Sequence, residues 1–372
     1  MGIAIRWMLS LALLIPLVPN SPESKQDMAP KIDAIFKPLI SPDSPGFAVG
    51  VIRNGELIIA RGYGLADLKA KAPITPQTDF RLASVTKQFT ATAVMLLVHD
   101  GKLRYDETLT RIFPEFPPYG SKITVRHLLN HTSGLKRYEE IYEKETAGTQ
   151  PDKIPQLHDV DVLRILEQQT SGSFAPGERW EYSNSGYAVL AMIVERISGK
   201  SFEDFLRARV FVPLGMNHTV AYVSEKNQVP NRAFGYRRAF DGKGWTFSDQ
   251  SPTSAVLGDG GIYTSIEDIA KWDRALSAHT LLSKREMEPA LMLVRVDGGV
   301  TLSDGAQSEY GFGWFLDPYK SHRRMWHDGD TSGFHTSIQR LPDDQLTVVV
   351  LANRTDINPR ELALQLVDFN LG

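Results

Sequence analysis

The sequence predicts an α+β protein: one antiparallel β-sheet flanked by helices and built from both chain ends, with an all-helical insertion between them. Three observations carry this. Strand-like runs cluster at residues 47–64 and again at 311–351; the stretch from about 112 to 245 reads as Pro-rich loops and helices; and a helical pattern stands at each outer end. The two halves of the sheet must therefore meet across the insertion, and the cleft between two such lobes is where an active site is expected.

The elements follow in order. Residues 1–24 read as a signal peptide or N-terminal anchor, because Arg6 precedes an apolar run at 7–18 and a polar stretch follows at 19–24. The run is shorter than the ~20 residues of a comfortable membrane span, and no A-x-A cleavage site follows it. A periplasmic or extracellular location is expected, with N-terminal membrane association as the alternative to cleavage. Residues 27–372 then form a single domain, one lobe from 27–111 and 246–372 and a helical lobe from 112–245. Residues 28–40 have amphipathic helical spacing. Pro45-Gly46 opens an apolar strand at 47–52, Asn54-Gly55 signals a two-residue primed turn, and 57–64 return as the partner strand. Residues 86–99 are good helix formers with an almost unbroken apolar run, stopped by Gly101. Helical patterns at 124–129, 160–169, 185–197 and 202–210 fill the middle. Strands are expected at 311–316, 324–327, 334–341 and 346–351, and a closing helix at 358–371.

Composition excludes several function classes. The chain of 372 residues is 42% hydrophobic and can bury a large core. Its net charge is -3 and no Lys/Arg run interleaves with aromatics, so nucleic acid is not an expected partner. With no cysteine there is no disulfide, thiolate metal site, Cys nucleophile or lipidated Cys. His127 and His131 stand at i, i+4 without the Glu of H-E-x-x-H, and Thr132-Ser133-Gly134 breaks the helix there, so both read as structural and no metal or other cofactor is expected. Gly258-Asp259-Gly260-Gly261 lacks the Gly-Lys-Ser/Thr of a P-loop and reads as a tight turn, with Ser265 and Asp268 capping the next helix. No G-x-S-x-G elbow occurs.

Three motifs carry chemistry. Ser84-Val85-Thr86-Lys87 sets a hydroxyl and an ammonium on one helical face, at the head of the most apolar helix. Burial there should lower the Lys87 pKa and let the amine take the Ser84 proton. In Tyr182-Ser183-Asn184, a Tyr beside two cations should have its pKa pulled down and relay a proton, while the Asn184 amide orients Lys87 or a substrate carbonyl. In Trp326-His327-Asp328-Gly329-Asp330, at the end of a short strand, Gly329 should admit close substrate approach and the Asp330 N–H should join that of Ser84 in an oxyanion hole. Singly, each motif has a plain structural reading: a solvated Lys, a helix cap with a packed Tyr, a Gly-Asp turn.

Together, S-x-x-K, Y-x-N and H-x-G in this order and on this plan resemble the serine β-lactamase and penicillin-binding-protein superfamily. The match is nearest its class C-like branch of class C β-lactamases, D-aminopeptidases, D-alanyl-D-alanine carboxypeptidases and β-lactamase-like esterases. The resemblance spans about 45–353 and includes Phe80-Arg81-Leu82-Ala83, the run from Leu128 to Leu135, Pro213-Leu214-Gly215-Met216 and the run from Gly260 to Ser265. It implies a β-lactamase/transpeptidase-like fold and a cofactor-free serine hydrolase acting through an acyl-enzyme. Ser84 is then the nucleophile, Lys87 and Tyr182 the proton-transfer pair, Asn184 the orienting amide, and His327 stands where β-lactamases usually carry Lys. A mostly neutral imidazole beside two acids should weaken carboxylate recognition. The implied activity is therefore an ester or amide hydrolase, a β-lactamase-like carboxylesterase first, with D-aminopeptidase, carboxypeptidase or class C-like β-lactamase as alternatives. Its substrate is a small ester, amide or D-amino-acid peptide, and Asp328 is a candidate acceptor for a substrate amine. A silent peptidoglycan-binding or scaffolding relative is the rival, but it would not need Ser84, Lys87, Tyr182 and Asn184 together.

Overall fold

The computed structural model describes residues 25–150 and 153–371, so the expected leader at 1–24 lies outside the described residues. Helix α1 (Lys25–Phe36) leads by one 3-10 turn into the hairpin of β1 (Phe47–Arg53) and β2 (Glu56–Tyr63). The α-helix stops short of the expected residue 40 because Pro38 disfavours helical backbone in the residue before it. Asn54 and Gly55 both adopt positive φ, 53° and 73°, as the primed turn requires.

Six antiparallel strands form the main sheet. The late strands are β3 (Phe315–Tyr319), β4 (His322–Thr331), β5 (Phe334–Leu341) and β6 (Leu346–Ala352), in the order β3-β4-β5-β6-β1-β2. The chain ends meet where β1 pairs with β6, Phe47 opposite Ala352 and Arg53 opposite Leu346. Both faces of this seam are buried, which is why its strands read as unbroken apolar runs. Phe47, Val49, Val51, Val348 and Val350 pack with Phe36 of α1 and Leu366 of the closing helix (Pro359–Leu371). Ala48, Ile52, Val349 and Leu351 face the opposite side with Ile266, Ile269 and Trp272.

Two strand expectations need correction. Residues 311–314 are a turn, with the Gly311 N–H donating to the Trp314 carbonyl at 2.9 Å and Gly313 at φ 76°, so β3 starts only at Phe315. Conversely, β4 does not end near His327. It continues through Gly329, paired with Thr336, to Thr331.

The helical region contributes α2 (Lys87–His99), α3 (Val125–Leu129), α4 (Tyr138–Glu145), α5 (Asp159–Glu167) and α6 (Asn184–Ser198), followed by the short α7 (Leu257–Gly260) and α8 (Ile266–Ala278). Every residue of α2 from 87 to 97 is buried. A 3-10 turn, Ala83–Thr86, precedes it and holds Ser84 partly exposed. Ala83 lies at φ 49°, a strained conformation for alanine. Its surroundings impose it: the Leu82 N–H donates to the Ile262 carbonyl at 2.8 Å, and Thr336 Oγ1 donates to the Leu82 carbonyl at 2.9 Å.

Gly329 presses on this turn. A Cβ there would lie 2.1 Å from the Leu82 carbonyl oxygen and 3.1 Å from the Ala83 Cβ. The glycine is thus required by strand-on-turn packing, not by substrate approach as the sequence suggests. Gly329→Ala should accordingly lose about 1–3 kcal/mol of stability through overpacking. Denaturant unfolding checks this, and an unchanged midpoint would show that the turn yields freely.

Candidate active site

Lys87 is the first residue of α2 and is fully buried. Its Nζ lies 3.0 Å from Ser84 Oγ, 2.8 Å from Asn184 Oδ1 and 2.9 Å from the Asp259 carbonyl oxygen. The last two partners can only accept, so they consume both N–H bonds of a neutral amine and aim its lone pair at the Ser84 hydroxyl. Burial lowers the Lys87 pKa, against the pull of Asp259 and then Glu139. The Tyr182 and Tyr187 rings lie 4.9 and 5.5 Å from Nζ.

Asn184 is fixed by its place in α6. Ser183 caps that helix, its Oγ accepting from the Gly186 N–H at 3.1 Å. Asn184 Nδ2 donates to Glu139 Oε1 at 2.7 Å, which leaves Oδ1 facing Lys87. The other Glu139 oxygen is buried without a partner.

Tyr182 corrects the sequence reading. Its hydroxyl is buried and unpartnered, and burial drives its pKa well above the ordinary phenol value, with Ser84 the neighbour that offsets part of the shift. The expected cations do not produce a phenolate, because burial dominates the surroundings of the hydroxyl. Tyr182 is therefore a phenol poised to donate. An orphaned buried hydroxyl costs about 1–3 kcal/mol until something accepts from it.

His327 is buried in the middle of β4. Its Nδ1 lies 2.6 Å from the Asp328 carbonyl, a pure acceptor, so the proton resides on Nδ1 and Nε2 accepts from Tyr310 Oη at 3.3 Å. Burial, followed by repulsion from Lys87, pushes its pKa down to about 3. The imidazole is neutral across physiological pH. Asp328 is not free for a substrate amine, since Arg360 pairs with it and Ser337 Oγ donates to it at 2.7 Å. The exposed Asp330 carboxylate meets His335 Nε2 at 2.9 Å.

These groups line a cleft of about 820 Å³, in which Ser84, Tyr182, Asn184, His327 and Asp330 face Trp180. Gly329 is not part of its wall. β3 flanks β4 only as far as Trp326, opposite Phe315, so beyond that residue the β4 edge opens to the cleft. Three neighbours of the site escape sequence reasoning. The Asp259 carbonyl is a backbone atom with no residue signature, and the glycine-rich turn read at 258–261 is in fact α7, which presents it. Glu139 sits in a helix remote in sequence from every motif. Tyr310 precedes the glycine pair whose spacing was the available signal. His131, just beyond α3, packs its ring at tilted angles 4.4 Å from Tyr182 and 4.5 Å from Tyr310, and its Nδ1 accepts from the Ser183 N–H at 3.1 Å, a structural role that buttresses Tyr182. His127 is structural as expected, exchanging cap hydrogen bonds of 3.3 Å with Thr124.

The description "Beta-lactamase" belongs to the family model that matches residues 32–369. The chain belongs to the beta-lactamase family. It is 32% identical over 351 residues to penicillin-binding protein 4* of Bacillus subtilis, covering 91% of this chain and 75% of the relative. It is 28% identical to a D-aminopeptidase of Brucella canis over 88% of this chain and 60% of that one. Among solved structures, it resembles D-amino acid amidase from Ochrobactrum anthropi SV3 with a TM-score of 0.74 and 28% identity, covering 93% and 97% of the two chains. It resembles the octameric penicillin-binding protein homologue from Pyrococcus abyssi with a TM-score of 0.78 and 26% identity, covering 94% and 77%. This beta-lactamase-family protein is a serine hydrolase.

The amine geometry sets a pH dependence. Lys87 takes a proton only when neutral, so labelling of Ser84 by a neutral fluorophosphonate should rise with pH through an apparent pKa of about 8. His327, neutral above about 3, should add no limb. A single limb at the ordinary His value of about 6.5 would move the base role to a histidine.

Proposed function

We propose that this beta-lactamase-family chain hydrolyses small esters and amides that lack a carboxylate beside the scissile bond, as a carboxylesterase-type acyl hydrolase. Ser84 Oγ attacks the carbonyl carbon as its proton passes to neutral Lys87. The Ser84 and Asp330 N–H groups stabilise the oxyanion. The bond to the leaving oxygen or nitrogen breaks as that atom takes the Tyr182 proton, which Lys87 restores to Tyr182. Water then hydrolyses the acyl ester, releasing the carboxylic acid and regenerating Ser84.

The observation that carries the substrate class is that, among the described residues, no unpaired cation stands at His327, while Arg137 and Arg179, which also line the cleft, are paired with Glu140 and Glu181. The imidazole there is buried and neutral, and neighbouring Arg360 is paired with Asp328. A substrate carboxylate would be desolvated there without a partner. A second reading rests on Glu139, whose carboxylate has spare acceptor capacity beside Asn184. It favours an acyl group bearing an amine, and the D-aminopeptidase and D-amino acid amidase relatives agree with it.

We also infer from residues 6–24 that the protein works outside the cytoplasm, in the periplasm or extracellular space. Fluorophosphonate-labelled protein recovered only from the cytosol would overturn that location.

The activity test compares kcat/KM for short-chain p-nitrophenyl esters and D-aminoacyl p-nitroanilides against nitrocefin and D-alanyl-D-alanine peptides. Esters or D-aminoacyl amides should lead, and an efficient β-lactamase that handles both poorly would contradict the proposal. Ser84→Ala should lose about 10³-fold or more. On the second reading Glu139→Gln should depress the aminoacyl substrates far more than neutral esters, which feel only its contacts with Asn184 and Lys87.

A further inference from the structure

Resting on the serine-hydrolase reading above, we propose that two compartments flanking Ser84 divide the substrate: a small polar pocket takes the acyl group and the large cleft takes the leaving group. The enzyme is then selective for short, polar acyl groups and permissive toward bulky leaving groups.

The two compartments share only three wall residues, Ser84, Asn184 and Asp330, so the nucleophile sits at their junction. Their volumes differ, about 820 Å³ on one side and about 150 Å³ on the other. The chemistry of the proton decides which is which. A leaving oxygen or nitrogen must be protonated as its bond to the acyl carbon breaks, and Tyr182, with its unpartnered hydroxyl, lines only the large cleft. The leaving group therefore lies there, and the acyl substituent, on the other side of the carbonyl carbon, points into the small pocket.

That pocket cannot deepen readily. Its inner wall includes Arg81, Tyr138 and Asp259, all buried. Arg81 is tied to the Gly260 carbonyl at 3.2 Å and the Ser254 carbonyl at 2.8 Å, and Tyr138 Oη donates to Asp259 at 2.9 Å. A cavity of this size holds about one benzene-sized group. Glu139, Thr253 and Thr331 complete a polar lining. A long alkyl chain would have to desolvate these groups without replacing their hydrogen bonds, whereas a short polar acyl group would not.

The test holds p-nitrophenol constant and varies the acyl group from acetyl through butyryl to octanoyl, then holds acetyl constant and varies the leaving group from p-nitrophenol to 4-methylumbelliferone. The expected result is a fall in kcat/KM of about tenfold or more from butyryl to octanoyl, with less than about threefold change across the leaving groups. Thr253→Gly should raise the octanoyl-to-acetyl ratio of kcat/KM and Thr253→Phe should lower it, the ratio separating a change of acyl selectivity from a general loss of activity. Octanoyl esters turned over as well as butyryl ones by the wild type, or selectivity that follows the leaving group, would overturn the assignment while leaving the serine-hydrolase reading intact. Failure of any ester or fluorophosphonate to form a Ser84 adduct would overturn that reading and the proposal with it.

Discussion

One buried amine organises the molecule. Lys87 Nζ is reached by Ser84 from the preceding turn, by Asn184 from the start of α6 and by the Asp259 carbonyl from α7, partners 3, 97 and 172 residues away in sequence. A buried ammonium is expensive, several kcal/mol even after relaxation. Partial neutralisation lowers that cost, and the two pure acceptors make the neutral form productive because they leave the lone pair nowhere to point but at Ser84. The sheet, the apolar α2 and the helical region all serve to hold these three segments around one atom.

The same economy explains the electrostatics around it. A second cation at His327 would oppose Lys87, and repulsion from Lys87 contributes to the lowered pKa of that imidazole. The arginines that line the cleft are each paired with an acid, Arg360 with Asp328, Arg137 with Glu140 and Arg179 with Glu181. On the opposite flank Glu139 and Asp259 favour the charged form of Lys87 and so moderate the effect of burial. The site is thus built for general-base chemistry on substrates that bring no negative charge to the His327 side, and Tyr182 remains a phenol because burial dominates its surroundings.

Much of this was legible in the sequence because it is encoded locally. The Ser84–Lys87 spacing, the apolar α2, the Asn54-Gly55 turn and the apolar runs of β1 and β6 depend on neighbours within a few residues, and each appears close to where the sequence puts it. The misreadings concern properties set by tertiary contact. The direction of the Tyr182 pKa depends on how deeply its hydroxyl is buried, and the role of Gly329 depends on a turn 247 residues earlier in the chain, at Leu82. The Asp259 carbonyl has no side-chain signature at all. At 311–314 the strand expectation fails because Gly313 adopts φ 76° and closes a turn.

The central claim is that the Lys87 pKa is lowered toward physiological pH and that the amine is hydrogen-bonded so that its neutral fraction accepts from Ser84. Its titration can be followed directly by NMR of protein carrying lysine labelled with 13C at the ε-carbon, the Lys87 signal being assigned by its loss in Lys87→Arg. The account requires a midpoint near 8, clearly below the ordinary lysine value of about 10.4. A Lys87 signal that titrates with the surface lysines, at or above that ordinary value, would contradict it.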